Sequence, residues 1–351
     1  MSDNKRTALP ECHLTTRRRA VKALGAGLSA GLGGAWLSPL AQAQPALREI
    51  SIPISSTSFA TASVRAADLL GCFTRQGLAA KFPVLGTGST LTAALVSGSV
   101  PVVLGGAGEQ VAAWARGQPV VTIVNVYWGL AASIVLAKDV AERTGVSANA
   151  PARDRLKALD GLLIAVPSAT STYTNSFKGA AEALGAKMRF TYMAQPAMVA
   201  ALESGAIQGY SAGAPFWGSQ VARGRAVVWV SGPKGELPAE NTPASITAFH
   251  AMAPFAEANP GLMKQVIDAY RDFSSILEKT PDQVRAALAK LYTDVDAQTL
   301  DVLFAAEHHA WKYRPVTAAH MKQEIDFMRA SGAGIPGMEK IDPAAMIYTA
   351  R

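Results

Sequence analysis

Val102-Val103-Leu104-Gly105-Gly106-Ala107-Gly108-Glu109 carries the chain from a short apolar run through a glycine turn into a helical stretch, residues 111–114. A β-branched run that empties into a Gly-rich turn opening a helix is the repeating unit of a parallel α/β sheet. The same grammar recurs along the chain. Runs at 50–54, 82–85, 102–104, 120–124, 134–136, 163–166, 190–193 and 227–230 alternate with Ala-rich stretches. Continuous apolar runs of this length predict strands buried on both faces and flanked by helices. In such sheets a ligand crevice forms at the carboxyl ends of the strands, where the turns lie.

Past Pro243 the pattern predicts consecutive helices. Asn259-Pro260 starts one, with Met263, Val266, Ile267 and Tyr270 on a single face. Thr280-Pro281 starts another, backed by Val284, Ala287, Leu288 and Leu291, and a third begins at Thr317 with Met321, Ile325 and Met328. These stripes read as core faces.

Four hydroxyl- or glycine-rich turns are the candidate site. They are Ser55-Ser56-Thr57-Ser58-Phe59, Gly86-Thr87-Gly88-Ser89-Thr90, Gly105-Gly106-Ala107-Gly108-Glu109 and Ser168-Ala169-Thr170-Ser171-Thr172-Tyr173. Free N–H groups at a helix start, together with the helix dipole, suit a negatively charged group. No Walker lysine follows any turn, and Gly86-x-Gly88 lacks the third glycine of a dinucleotide fingerprint. Tyr127-Trp128 and Phe216-Trp217 stand near the turns and are expected to flank an organic body. Ligand donors are therefore expected at Ser56, Thr57, Gly88, Ser89, Thr90, Gly106, Ala107, Ser168, Thr170, Ser171 and Thr172. Tyr127, Trp128, Tyr173, Phe216 and Trp217 are the expected aromatic walls. Glu109 caps a helix dipole or, if it faces the crevice, pairs with an amine.

The amino-terminal segment carries Thr16-Arg17-Arg18-Arg19-Ala20-Val21-Lys22, an apolar run at 23–37 loosened by five glycines, and Ala41-Gln42-Ala43. That order predicts a twin-arginine export signal over 1–43, cleaved after Ala43, and a mature chain in the periplasm. The run falls short of the roughly 20 apolar residues a membrane span needs, and no span is expected elsewhere. The formal charge is +7, but residues 1–43 hold six Lys/Arg against two Asp/Glu. Little basic surface remains to neutralise phosphates, which argues against nucleic acid as a partner. Cys72 stands alone after the signal, so neither a disulfide framework nor a metal site is expected, and no cofactor is implied.

Leu70-Gly71-Cys72-Phe73-Thr74-Arg75-Gln76-Gly77-Leu78, the Gly86–Thr90 turn with Ala93-Ala94-Leu95-Val96-Ser97-Gly98, Gly105-Gly106 and Trp114-Ala115-Arg116-Gly117 follow one another in a familiar register. Leu159-Asp160-Gly161, Ala200-Ala201-Leu202-Glu203-Ser204-Gly205 and Ala214-Pro215-Phe216 echo them further on. This order and spacing resemble the nitrate/taurine/alkanesulfonate group of ABC-importer substrate-binding proteins, related to thiamine-pyrimidine receptors. Pro101 and Gly209 stand where that family usually carries an acidic residue. The resemblance implies a two-lobed α/β fold of the periplasmic-binding-protein type II class, each lobe a mostly parallel sheet, joined by a two-crossing hinge. Lobe 1 would be 44–129 plus 244–351, lobe 2 would be 130–230, and 231–243 would be the linker. It further implies a monomeric receptor, not an enzyme, that delivers a small organic anion (sulfonate, taurine-like or aromatic carboxylate) to an ABC permease. A thiamine-pyrimidine-type ligand is the alternative.

One enzymatic alternative comes from the residues themselves. Gly209-Tyr210-Ser211-Ala212-Gly213 matches G-x-S-x-G, with Asp268 or Asp272 and His308, His309 or His320 downstream, the chain order of an exported serine hydrolase. The same pattern at 27–31 shows how cheaply an Ala/Gly/Ser-rich chain produces it. His308-His309 beside Glu307 lacks metal-ligand spacing, because adjacent helical positions point about 100° apart.

Overall fold

Ile54 joins the amino-terminal strands into one system. It bridges in parallel to Val84 on one side and Leu104 on the other. The computed structural model describes residues 46–85, 87–167, 169, 171–332 and 334–349, so the export-signal expectation, Gly86, Ser168 and Thr170 lie outside the described residues. Arg48–Ser51 pairs in parallel with Leu78–Lys81. Val103–Gly105 lies antiparallel to Ser245–Met252, which is in turn antiparallel to Val120–Trp128. A second sheet has five strands in the order Arg189–Tyr192, Leu163–Val166, Gly209–Ala212, Ser133–Ala137, Ala226–Ser231.

The two systems share a plan. Three parallel strands are followed by an antiparallel strand contributed by the chain as it arrives from the other system. Val120–Trp128 leaves the first system and returns as Ser133–Ala137 in the second, while Ala226–Ser231 leaves the second and returns as Ser245–Met252. The expected mostly parallel sheets are thus mixed, because each takes a strand across each crossing. Gly232 explains how the crossings lie so close. A Cβ there would sit 2.5 Å from the Ala132 carbonyl and 2.9 Å from Leu130 Cβ, and would collide with the Leu130 carbonyl. Its N–H donates to Ala132 O at 3.0 Å, and Gly129 N donates to Ala244 O at 3.2 Å.

Ser245–Met252 departs from the helical expectation after Pro243. It is a buried strand whose polar residues are spent across the ladder. Ser245 Oγ donates to Asn125 Oδ1, and His250 contacts Thr122 Oγ1 at 3.3 Å and the Gly105 carbonyl at 3.2 Å. Burial pushes the His250 pKa down to about 4, so the ring is neutral and fits a core strand.

The helices Pro260–Lys279, Pro281–Leu291 and Ala318–Ala330 form where the apolar stripes place them. A further helix, Ala297–Glu307, packs on the short helix Gly218–Ala222, and Gln298 Nε2 donates to the Ala222 carbonyl at 2.9 Å. Its Leu300 and Leu303 share one core with Tyr210 and Trp217 of the second system and Phe59 and Phe273 of the first. Pro45–Arg351 accordingly forms one compact unit. No helix among the described residues is long and apolar enough to cross a membrane.

Candidate functional site

The turns meet at the carboxyl ends of the strands. There they line two cavities, one of about 570 Å³ and a smaller one of about 160 Å³. Residues 55–59 supply both, with Ser56, Thr57, Ser58 and Phe59 on the larger and Ser55 on the smaller. The helix Thr172–Glu182 does likewise, placing Tyr173 on the larger and Thr172 on the smaller.

Among the described residues Arg65 is the only cation that lines the larger cavity. Its Nη1 donates to the Thr57 carbonyl at 3.1 Å and to Tyr292 Oη at 3.4 Å, and its guanidinium lies 5.4 Å from the Tyr292 ring centre. It has no carboxylate partner among the described residues. Gln195 Oε1 accepts from Gly213 N at 2.9 Å, which pins the loop that presents Ala214, Pro215 and Phe216 to the same space. Phe59, Tyr173, Phe216 and Tyr292 add aromatic surface to the walls.

Glu307 closes the larger cavity at the end of Ala297–Glu307. The side chain is 1% exposed. Tyr127 Oη donates to its Oε2, while Oε1 has no hydrogen-bond partner among the described residues. Burial pushes its pKa up to about 7, against the opposing pull of the Tyr127 bond. Burial also lifts Tyr173 to about 12, so that hydroxyl keeps its proton.

The smaller cavity is acidic. Glu109 and Glu324 both line it, together with Gly88, Gly105, Gly106, Ser245 and Thr247. Gly88 is required here for a close approach. A Cβ on it would overlap the Glu109 carboxyl, whose Cδ would lie 2.6 Å away. Glu324 is 3% exposed and its Oε2 accepts from Ala244 N at 2.7 Å. Burial raises its pKa to about 7; the backbone bonds from Ala244 and Ser245 oppose this, and the Glu109 charge adds to it.

Of the residues singled out in the sequence, Ser56, Thr57, Tyr173 and Phe216 line the larger cavity, and Gly88, Gly106 and Thr172 line the smaller. Other hydroxyls are spent on the helices themselves. Ser171 Oγ accepts from Thr174 N at 3.1 Å as an N-cap, and Thr87 Oγ1 accepts from Thr90 N at 3.2 Å with Ser89 and Thr90 bonded to it. Ala107 and Trp217 are wholly buried and line neither cavity. Tyr127 lies behind Glu307 rather than beside the space. Trp128 turns away from it, donating from Nε1 to the Lys312 carbonyl at 3.0 Å beneath Arg314. Arg65, Gln195, Tyr292, Asp294 and Glu324 went unnoticed in the sequence, and Glu307 was weighed only beside His308-His309, because helical stripes and isolated charges carry no mark of which cavity they reach. None of the four turns holds a Lys or Arg; Arg65 arrives from the helix Ala62–Leu69.

The hydrolase alternative fails on geometry. Ser211 is fully buried inside the strand Gly209–Ala212, paired with Ile134, rather than exposed on a strand-to-helix elbow. Its hydroxyl has no partner among the described residues. Asp272 is engaged by Arg75 at 2.8 Å, Asp268 by Lys264, and His308 Nδ1 by the Phe304 carbonyl. Cys72 is buried, and its thiol is pushed up to about 11, chiefly by that burial, which makes it a packing residue and not a nucleophile.

A pair of linked sheet systems with a ligand-sized cleft at their strand ends defines a periplasmic binding protein fold, and solved structures share it. The aliphatic sulphonate binding protein SsuA from Escherichia coli aligns with a TM-score of 0.62 at 19% identity, covering 88% of this chain and 94% of that one. The alkanesulfonate-binding protein SsuA from Xanthomonas axonopodis pv. citri, bound to MOPS, gives 0.58 at 18% identity, covering 87% and 99%. The nitrate-binding protein NrtA from Synechocystis PCC 6803 gives 0.52 at 12% identity, covering 84% and 86%. No match arises among curated protein sequences. The model of the NMT1-like family matches residues 55–293, more than half of the chain, and the chain belongs to that family. The fold is the one these sulfonate- and nitrate-binding proteins share.

Proposed function

We propose that this protein is the periplasmic receptor of an ABC import system, which captures a small organic anion in the cleft and delivers it to a membrane permease. The observation that carries this reading is the convergence of turns from both sheet systems on adjoining cavities, with Arg65 as an unpaired cation beside the Ser56–Ser58 hydroxyls. A sulfonate or carboxylate head placed there would meet a guanidinium, hydroxyls and free N–H groups. Its organic part would lie among Phe59, Tyr173, Phe216 and Tyr292. The aliphatic and alkanesulfonate binding by the two SsuA proteins of the same fold supports this class of ligand.

In this reading residues 44–129 with 244–351 form one lobe and 130–230 the other, and the crossings near Gly129 and at 231–243 act as the hinge. Closure follows from the ligand, because only a closed cleft lets groups of both lobes touch it at once. The twin-arginine segment would bring a monomer folded before transport to the periplasm. A thermal-shift screen of sulfonates, carboxylates and thiamine-precursor pyrimidines on the mature protein tests the receptor reading. Stabilisation by at least one class is expected. No shift with any of them, together with measurable ester turnover, would overturn it.

A further inference from the structure

Gly213 brings the chain close to two side-chain donors of the second sheet system. A Cβ on it would lie 2.9 Å from the Ala131 carbonyl and 3.1 Å from Tyr173 Oη, and its N–H donates to Gln195 Oε1 at 2.9 Å. That bond fixes the orientation of the Gln195 amide. A backbone N–H can be met only by the oxygen, so the Nε2 end, with its two N–H groups, is left over. Neither Nε2 nor Tyr173 Oη has a hydrogen-bond partner among the described residues, and neither atom is sealed from solvent. Gln195, Tyr173 and Gly213 all line the larger cavity. Burial, with the Glu307 charge adding to it, lifts the Tyr173 hydroxyl to about 12, so it keeps a proton to donate. Asp294 and Glu307 line the same cavity. An acidic head therefore needs several donors to offset them, and Arg65 supplies one arm only.

We propose that Gln195 Nε2 and Tyr173 Oη, on either side of Gly213, are the specificity-determining donors by which the second sheet system receives the ligand's acidic head. The head then meets Arg65 from the first system and these two groups from the second, and it must present bare oxygen acceptors to them. An ionised sulfonate or carboxylate does so, whereas an uncharged amide of the same acid brings N–H donors that find no acceptor in Nε2. This rests on the receptor reading above and adds to it the residues that tell an acid from its amide. Gly213 is the positioning residue, since its N–H holds the amide oxygen and turns Nε2 outward. The proposal concerns binding alone, and no bond of the ligand is made or broken.

Matched probes and two variants test it. Isothermal calorimetry on the mature protein at pH 7 would compare ethanesulfonate with ethanesulfonamide, benzenesulfonate with benzenesulfonamide, and benzoate with benzamide. Each acid that binds is expected to do so at least about tenfold more tightly than its amide, the worth of one charge-assisted hydrogen bond. Gln195→Glu keeps an oxygen for Gly213 N but offers the head no donor. It should weaken the acids by about tenfold or more and erase the preference for acid over amide, with the Tm of the unliganded protein unchanged. Tyr173→Phe keeps the ring and removes only the hydroxyl, so it should weaken the acids without adding charge to the cavity. Acid affinities unchanged in either variant, or equal binding of acid and amide by the unaltered protein, overturn the inference while leaving the receptor reading intact. If none of the three acids binds, the inference falls, and the receptor reading falls with it only when the thermal-shift screen is silent as well. Should Gln195→Glu not fold, Tyr173→Phe decides on the same criterion.

Discussion

Replacing Glu324 by Gln should make the protein more stable at pH 8 and leave it nearly unchanged at pH 5. The carboxyl is buried and faces Glu109 across the smaller cavity, and its pKa stands at about 7 against an ordinary 4.5. A carboxyl whose folded pKa is raised contributes stability that is full below the unfolded value and is lost as pH rises through the folded one. At about 1.4 kcal/mol per pKa unit, the ionised side chain costs the folded state about 3 kcal/mol by pH 8, with the loss falling between about pH 5 and 7.5. Gln retains the acceptor for Ala244 N, so the hydrogen bond at 2.7 Å survives and the charge alone is removed. Urea unfolding followed by tryptophan fluorescence at pH 5, 6, 7 and 8 measures the difference, because other titrating groups, Glu307 included, cancel between the two proteins. Glu109→Gln should recover only part of the gain, since burial is the larger cause of the shift. A stability difference that is the same at pH 5 and pH 8 would refute the reasoning.

Gly232→Ala should destabilise by about 1–3 kcal/mol in the same urea assay, since the added Cβ meets backbone of the other crossing that cannot rotate aside. Glu236→Ala should lower stability by about 3 kcal/mol by stranding the buried Arg155 guanidinium, now held at 2.9 and 3.1 Å by the Glu236 carboxylate; differential scanning calorimetry would register it as a lower Tm. Ser211→Ala should keep stability within about 1 kcal/mol or raise it, because it removes a buried hydroxyl that has no partner, and a fluorophosphonate probe should leave Ser211 unlabelled. Cys72 should resist a disulfide reagent at pH 8 until the protein is unfolded, since burial keeps it a protonated thiol.

Strands that are apolar throughout were readable. Leu163–Val166 falls where the pattern places it, and Ala226–Ser231 lies within two residues. Those that mix polar residues were not. Val120–Trp128 runs past the expected 120–124 because Asn125 is bonded within the sheet, and Ser245–Met252 was hidden by its polar Ser245, Thr247 and His250, of which Ser245 donates to Asn125 and His250 contacts Thr122, both far away in sequence. Leu78–Lys81 reads as helix former by composition and becomes a strand because Arg48–Ser51 offers it a ladder, displacing the expected run at 82–85. The helix Ala297–Glu307 was unmarked, and with it the position of Glu307.

Local chemistry is what a sequence carries best: strand, turn, helix start, and the order in which they repeat. That order was enough for the α/β class, for the resemblance to substrate-binding proteins and for several of the turn residues that line the two cavities. The character of the cleft was decided by tertiary structure alone. Arg65 and Glu307 stand 242 residues apart by their numbers and line one cavity because separate helices pack their ends against it. A hydroxyl in a turn looks the same whether it caps its own helix, as Ser171 and Thr87 do, or faces the cleft, as Ser56 does. Burial, which raises the pKa of Glu307 and Glu324 and leaves one oxygen of Glu307 without a partner, is a property of everything packed around a residue and is absent from the residue's own name.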